Sequence, residues 1–177
     1  MPLSDASDIT TMPAEVARAD DGTIKFHTAL DDGHQVESVI LPMTSKSGRL
    51  RHTLCVSSQV GCAMGCTFCE TAQMGLMRSL TADEILLQWS VAHHRFGTTI
   101  DNIVFMGMGE PLDNVDTVID SIRRLTDHTG LPVHAQDERL TSDAARRRMA
   151  ETGPVRGRRD DAIAAAIILE EFLGGQS

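Results

Sequence analysis

Tyrosine is absent and aromatic side chains are scarce, with five Phe and one Trp in 177 residues. Such a chain lacks the stacking platform on which single-stranded bases are read. Its core has to be built from Ile, Leu, Val, Met and Ala. Long apolar runs are missing as well: the run through Ile163 to Leu169 falls far short of the roughly 20 residues that cross a bilayer. Positions 1–21 contain no basic stretch leading into an apolar one, so no secretory signal is expected and the expected location is the cytoplasm, with no membrane partner. Nor is any segment basic. Within the net charge of −9, residues 1–54 carry five basic and eight acidic side chains, 55–136 four and nine, and 137–177 seven and eight. Nucleic-acid binders normally present a positive footprint, so an RNA-directed role here needs a local patch or a partner.

What is present fits one globular domain with appendages, at 41% apolar and 23% charged residues. Residues 1–20 are rich in Ser, Asp, Thr and Ala without periodicity and read as a flexible tail. From Thr23 to Pro42, two β-branched runs flank Asp31-Asp32-Gly33, the pattern of a β-hairpin. Arg51 to Ser58 is a strand candidate that enters a Gly- and Cys-rich loop, Gln59 to Gly75. Thr81 with Glu84 makes a capping box, and Ile85, Trp89, Ala92 and Phe96 follow at helical spacing, so a helix is expected over 81–96. Asn102 to Met106 reads as a buried parallel strand ended by Gly107-Met108-Gly109-Glu110-Pro111. Asn114 then opens a second helix, which Gly130 stops, and Leu131 to Ala135 is a candidate third strand. This alternation is that of an α/β fold with a parallel sheet. Beyond Gln136 only helices are expected, over Ser142 to Glu151 and Asp160 to Leu173. Arg146 to Arg148 is a candidate phosphate patch, though the nearby Asp143 and Glu151 favour an exposed helix face.

The cysteines concentrate the chemistry: Cys55, Cys62, Cys66 and Cys69 all fall within 15 residues. Clustered cysteines in a reducing compartment bind metal or do redox chemistry more often than they form disulfides. Cys62, Cys66 and Cys69 stand at C-x3-C-x2-C with Phe68 before the last. Three thiolates on a four-iron cubane leave one iron with an open coordination position. A structural zinc site with Cys55 as fourth ligand competes with this reading, but zinc ligands usually pair as two C-x2-4-C units, and Cys55 lies seven residues before Cys62. The Gly107 to Pro111 turn, read alone, is a strand-to-helix connection. One βα unit after the cysteine loop, it becomes a cofactor-binding candidate, because ligands of parallel α/β folds sit at the carboxyl ends of strands.

The cysteine motif resembles the signature of the radical S-adenosylmethionine (SAM) superfamily. The wider stretch from Gly22 to about His134 resembles the RlmN/Cfr family of RNA methyltransferases, through QVESVILP, TLCVSSQVGCAMGCTFCETAQMGLMRSLTADEI, NIVFMGMGEPLDN and IRRLTDHTGL. The resemblance implies that Cys62, Cys66 and Cys69 hold a [4Fe-4S] cluster and that Gly109 and Glu110 bind SAM. It further implies that Cys55 helps resolve a protein–RNA intermediate and that Glu37 accepts a proton. By the same resemblance the partners are 23S ribosomal RNA or transfer RNA and an electron donor, and the product is a methyl group on C2 or C8 of adenine. The family carries that methyl group on a cysteine near its carboxyl terminus, whereas here no Cys follows Cys69. The expected architecture is therefore an incomplete, partial TIM-type barrel: tail 1–20, β-hairpin extension 21–54, partial radical SAM core 55–136 and a divergent helical segment 137–177. The expected function is that of a truncated family member impaired in methyl transfer, the alternative being a non-catalytic remnant or a metal-binding module.

Overall fold

Burial that alternates residue by residue along positions 24–29 and 35–40 sets up the sheet. The computed structural model describes residues 16–45, 47–66 and 69–131. The chain divides into two units, one of Met1–Thr44 with Arg49–Val133 and one of Ser45–Gly48 with His134–Ser177; every element below belongs to the first. β2 (Ile24–Ala29) and β3 (Gln35–Thr44) form the expected hairpin, with His27 opposite Glu37 and Ile24 opposite Ile40. β4 (Leu50–Cys55) continues the sheet antiparallel to β3, pairing Val39 with Cys55. β7 (Asn102–Val104) then lies parallel to β4, with Cys55 opposite Val104. Ahead of them β1 (Val16–Arg18) pairs antiparallel with β2, so the five-stranded order is β1-β2-β3-β4-β7. The architecture is mixed α/β. The residues 16–18 expected in a flexible tail are a strand, and the Arg18 guanidinium lies 5.6 Å from the centre of the Phe96 ring. No apolar periodicity announces a strand this short, because all three of its residues are exposed.

One face of the sheet is covered. Ile24, Phe26, Ile40 and Leu54 pack there with Leu86, Trp89, Val91 and Ala92. These last residues come from α2 (Ala82–Ser90) and the π-helical turn Val91–Arg95 that continues it. The capping box is present in full: Thr81 accepts from Glu84 N–H, and the Glu84 carboxylate accepts from the Thr81 N–H. After β7, a 3-10 turn (Pro111–Asn114) leads into α3 (Val115–Thr129), which ends at Gly130 in the left-handed conformation, φ 70°. Asn114 does not cap α3 with its side chain; its amide donates instead to the Ser58 and Leu80 carbonyls. Within the expected loop, β5 (Gln59–Val60) pairs antiparallel with β6 (Arg78–Ser79), and α1 (Glu70–Gln73) follows Cys69. The candidate strand at Leu131 to Ala135 beyond its first residue, and both carboxyl-terminal helices, lie outside the described residues. No helix among the described residues is long and apolar enough to cross a membrane.

Arg78 fastens the hairpin tip to the start of α2. Its Nε donates to Asp32 at 2.6 Å, and its two terminal nitrogens take the Glu84 carboxylate at 2.8 and 2.9 Å. The guanidinium holds the Asp32 carboxyl down at about 2 and also lowers Glu84. A carboxylate with a depressed folded value stabilises the fold above its ordinary value near 4 and loses that contribution as the pH falls through the depressed one. The stability difference between wild type and Asp32→Asn is therefore expected to shrink between about pH 4 and pH 2. Urea unfolding followed by circular dichroism across that range checks it; a constant difference would contradict it.

Candidate functional site

β4 and β7 are parallel neighbours, and the two candidate loops leave their carboxyl ends side by side. Backbone hydrogen bonds join them. Ser58 and Gln59 N–H both donate to the Met108 carbonyl, at 2.8 and 3.2 Å, and Gly107 N–H donates to the Val56 carbonyl at 3.0 Å. Glu110 N–H donates to Gln59 Oε1 at 2.9 Å. Glycine is required where the loops touch. A Cβ at Gly107 would stand 2.7 Å from Ser57 Oγ and 2.8 Å from the Val56 carbonyl, and one at Gly109, where φ is +96°, would stand 2.5 Å from Gln59 Cβ. The Glu110 carboxylate accepts from Leu112 N–H at 3.1 Å, which caps the 3-10 turn with one of its oxygens.

A buried polar hub fixes this junction from beneath. Gln88 is fully buried on α2; its Oε1 accepts from Ser38 Oγ and from Ser57 N–H, each at 2.8 Å, and its Nε2 donates to the Ser57 carbonyl at 3.0 Å. Ser57 Oγ donates to the Glu37 carbonyl at 2.7 Å and accepts from Met108 N–H at 2.8 Å. Buried polar groups that are all paired in this way specify one arrangement of the backbone around them. Gln88 and Ser57 were not among the sequence candidates. The available signal was a glutamine on the apolar face of α2, between Ile85 and Ala92.

The cysteine loop runs from Gly61 to Gly75 and closes on itself, with Cys62 N–H donating to the Gly75 carbonyl at 3.2 Å and Met77 N–H to the Val60 carbonyl at 2.9 Å. Cys62 is buried, Cys66 exposed and Cys69 half-buried, and all are free thiols. Cys69 N–H donates to the Cys66 carbonyl, so those two share a turn; Thr67 and Phe68 between them lie outside the described residues. Among the described residues no group of three His, Cys, Asp or Glu side chains is gathered to hold a metal ion. The donor set nevertheless suits an iron–sulfur cluster, since three unpaired thiols sit on one glycine-rich loop. Cys55 belongs to no such loop: it ends β4, on the sheet.

Glu37 and Cys55 share the sheet face opposite the α2 core. Cys55 is directly across from Val39, and Glu37 is two residues from Val39 on the same side. Glu37 Oε2 meets Lys25 Nζ at 2.8 Å and lies 3.6 Å from His27 Nε2. Burial pushes the Cys55 thiol up to about 11; a hydrogen bond from the Met106 backbone opposes this and the Glu37 charge adds to it. The structure thus brings Glu37 near Cys55, and the Ser57 to Gln59 segment that enters the cysteine loop beside the Gly109-Glu110 turn.

This architecture has a solved counterpart. A radical SAM methyltransferase from Sphaerobacter thermophilus superposes with a TM-score of 0.61 at 37% identity, covering 76% of this chain and 42% of that one. Among curated relatives, the dual-specificity RNA methyltransferase RlmN of Nitratidesulfovibrio vulgaris (strain Miyazaki F) is 47% identical over 136 residues, 73% of this chain and 37% of that protein. The probable RlmN of Moorella thermoacetica is 50% identical over 117 residues, 63% of this chain and 32% of that one. The chain spans about a third of the length of these relatives. A family profile described as RuvX: Holliday junction resolvase matches residues 58–175. The chain belongs to the RlmN-like radical SAM methyltransferases and, through residues 58–175, to the RuvX family. The RuvX match was not expected from the sequence motifs, and its part beyond 131 lies outside the described residues.

Proposed function

We propose that this chain is the cluster- and SAM-binding part of a radical SAM RNA adenine methyltransferase, built on a partial barrel in a reducing, cytoplasmic setting. The observation that carries the proposal is the stitching of Val56 to Gln59, the segment that leads from β4 into the cysteine loop, to the Gly107 to Pro111 turn at the carboxyl ends of two parallel strands. Cys62, Cys66 and Cys69 would hold a [4Fe-4S] cluster, which when bound would supply the electron for reductive cleavage of SAM. Gly109 lets backbone approach the Gln59 side chain where any Cβ would clash, and Glu110, held through its N–H by Gln59, would offer its carboxylate to the SAM ammonium group. Glu37 stands on the adjoining sheet face as the proton acceptor. Cys55 is kept there as a neutral thiol near pH 7, so it reacts only after a base takes its proton. RNA, ribosomal or transfer, is the substrate class, and an external one-electron donor completes the set.

Anaerobic reconstitution tests this directly. The expected product is brown, holds about four irons per chain, and releases 5′-deoxyadenosine from SAM when reduced. A colourless chain holding one zinc would overturn the proposal. Methyl transfer by this chain alone is a separate matter, because no cysteine after Cys69 can carry the methyl group. With reductant, SAM and RNA, mass spectrometry of the digested RNA is expected to show neither 2-methyladenine nor 8-methyladenine.

The RuvX match favours a second reading for residues 58–175, as a segment acting on branched DNA. Incubation with a four-way DNA junction and Mg2+ separates the two: cleavage supports the second reading, and intact junction with SAM cleavage supports the first.

A further inference from the structure

The hairpin that precedes the cysteine loop brings a cation to the face on which Glu37 and Cys55 stand. Opposed residues of antiparallel strands project to the same side, and so do residues two apart on one strand. The register pairs His27 with Glu37, Lys25 with Val39, and Val39 with Cys55. Lys25, His27, Glu37, Val39 and Cys55 therefore lie on one face, opposite the side that carries Phe26, Ile40 and Leu54 into the core. Lys25 Nζ reaches diagonally to Glu37 Oε2 at 2.8 Å, and His27 Nε2 stands 3.6 Å from the same oxygen.

We propose that Lys25 is a positioning residue for the Glu37–Cys55 pair: its ammonium grips Glu37 Oε2 from the neighbouring strand and balances the carboxylate charge that Cys55 faces.

The proposal rests on the reading of Glu37 as the proton acceptor and of Cys55 as its neighbour in the reaction. A carboxylate that accepts a proton must be aimed beforehand, and a lysine on the adjacent strand does this without touching substrate. The charged and titratable groups around Glu37 are few. β2 presents Lys25 and His27, and β4 presents Cys55. Arg51 shares the Cys55 face but lies two alternations back, about 13 Å along the strand. The turn after β7 contributes the neutral Met108, whose sulfur takes the Glu37 N–H at 3.4 Å. Among the described residues, Lys25 is thus the cation in contact with Glu37 on this face. The Lys25–Glu37 contact is about half exposed on the lysine side, so it adds little to stability. Its effect falls on the charge that the Cys55 thiol senses, which makes function separable from folding.

The rate at which iodoacetamide alkylates Cys55 at pH 9 reads this charge, because the thiolate is the reacting form. Peptide mass spectrometry follows Cys55 apart from the other three cysteines, in the whole chain without iron, SAM or RNA. Glu37→Gln is expected to speed the reaction of Cys55 at least about threefold, and Lys25→Met to slow it by a similar factor, each about half a pH unit in thiolate population. Lys25→Arg is expected to restore the wild-type rate. In the Glu37→Gln background, Lys25→Met is expected to change the rate by less than about a third of its effect in wild type, since the Glu37 charge that Cys55 faces is then gone. If Lys25 only braced the hairpin, Lys25→Met would loosen the sheet and expose Cys55, giving faster alkylation instead; that result overturns the proposal. So does an unchanged rate in Glu37→Gln, a variant that keeps the side-chain shape. Failure of iron reconstitution would sink the proposed function and leave these rates untouched, so the two outcomes are distinguishable.

Discussion

Cys62→Ala is expected to abolish iron uptake on anaerobic reconstitution, while Cys55→Ala retains about four irons per chain. The difference follows from where the two thiols sit. Cys62 is buried in the loop that Gly75 closes, beside Cys66 and Cys69 in sequence, and removing any one of three ligands leaves too few thiolates to retain a cubane. Cys55 sits on the sheet, opposite Val39 and Val104, within reach of the Glu37 charge. A four-cysteine zinc site would lose its metal in both variants. Metal analysis with absorption spectra of the two proteins, prepared together, decides between these arrangements, and loss of iron from Cys55→Ala would refute the assignment of Cys55 to the sheet-face pair.

Gly61→Ala carries the second large effect. Gly61 has φ +78°, a region that costs an L-residue about 1–2 kcal/mol. The greater cost is steric. A Cβ there would fall 1.8 Å from the Gly75 carbonyl oxygen and 3.0 Å from its carbon, both backbone atoms that close the cysteine loop. The same oxygen accepts from Cys62 N–H, so relieving the clash breaks the hydrogen bond that seats the first ligand. Together these are expected to cost about 3 kcal/mol or more and to prevent iron uptake. Gly65→Ala is the control within the same loop: its φ is +65°, but a Cβ there meets nothing within 4 Å. It should lose only the backbone term and keep its iron. Thermal unfolding and iron content measured on both variants check the contrast, and equal losses at the two positions would contradict it.

Much of this frame was legible in the residues. Asp31-Asp32-Gly33 between alternating runs announced the β2–β3 hairpin, Thr81 and Glu84 announced the start of α2, and Gly130 the end of α3. The parallel pairing of β4 with β7 was legible too, because a continuous apolar run after a helix has few other places to go. What escaped was short or non-local. β5 and β6 hold two residues each and exist through pairing across the cysteine loop, not through any pattern of their own. β7 stops at Val104 although the apolar run continues to Met106, because the next residues turn to hydrogen-bond with Val56 and Ser57. Lys25, Ser57 and Gln88 acquire their roles only when a register and a helix docking bring them to Glu37 and Met108. The cysteine loop and the Gly109-Glu110 turn were named from the sequence because their chemistry is written in spacing. The match of residues 58–175 to a resolvase family left no such trace among the motifs singled out.

The π-helical turn after α2 gives the chain an optical property. The Trp89 ring stacks on His93 at 5.2 Å with the planes 6° apart, and the His128 ring, from the last turn of α3, meets its edge at 5.0 Å. Trp89 is the only indole in the sequence; of its three imidazole neighbours, His93 and His94 come from the turn that continues its own helix and His128 from the helix packed against it. Its fluorescence therefore senses the seam between the two helices: imidazole quenches indole emission at close range, so parting α3 from α2 removes one of the three imidazoles and registers as brighter, red-shifted light, with no label attached.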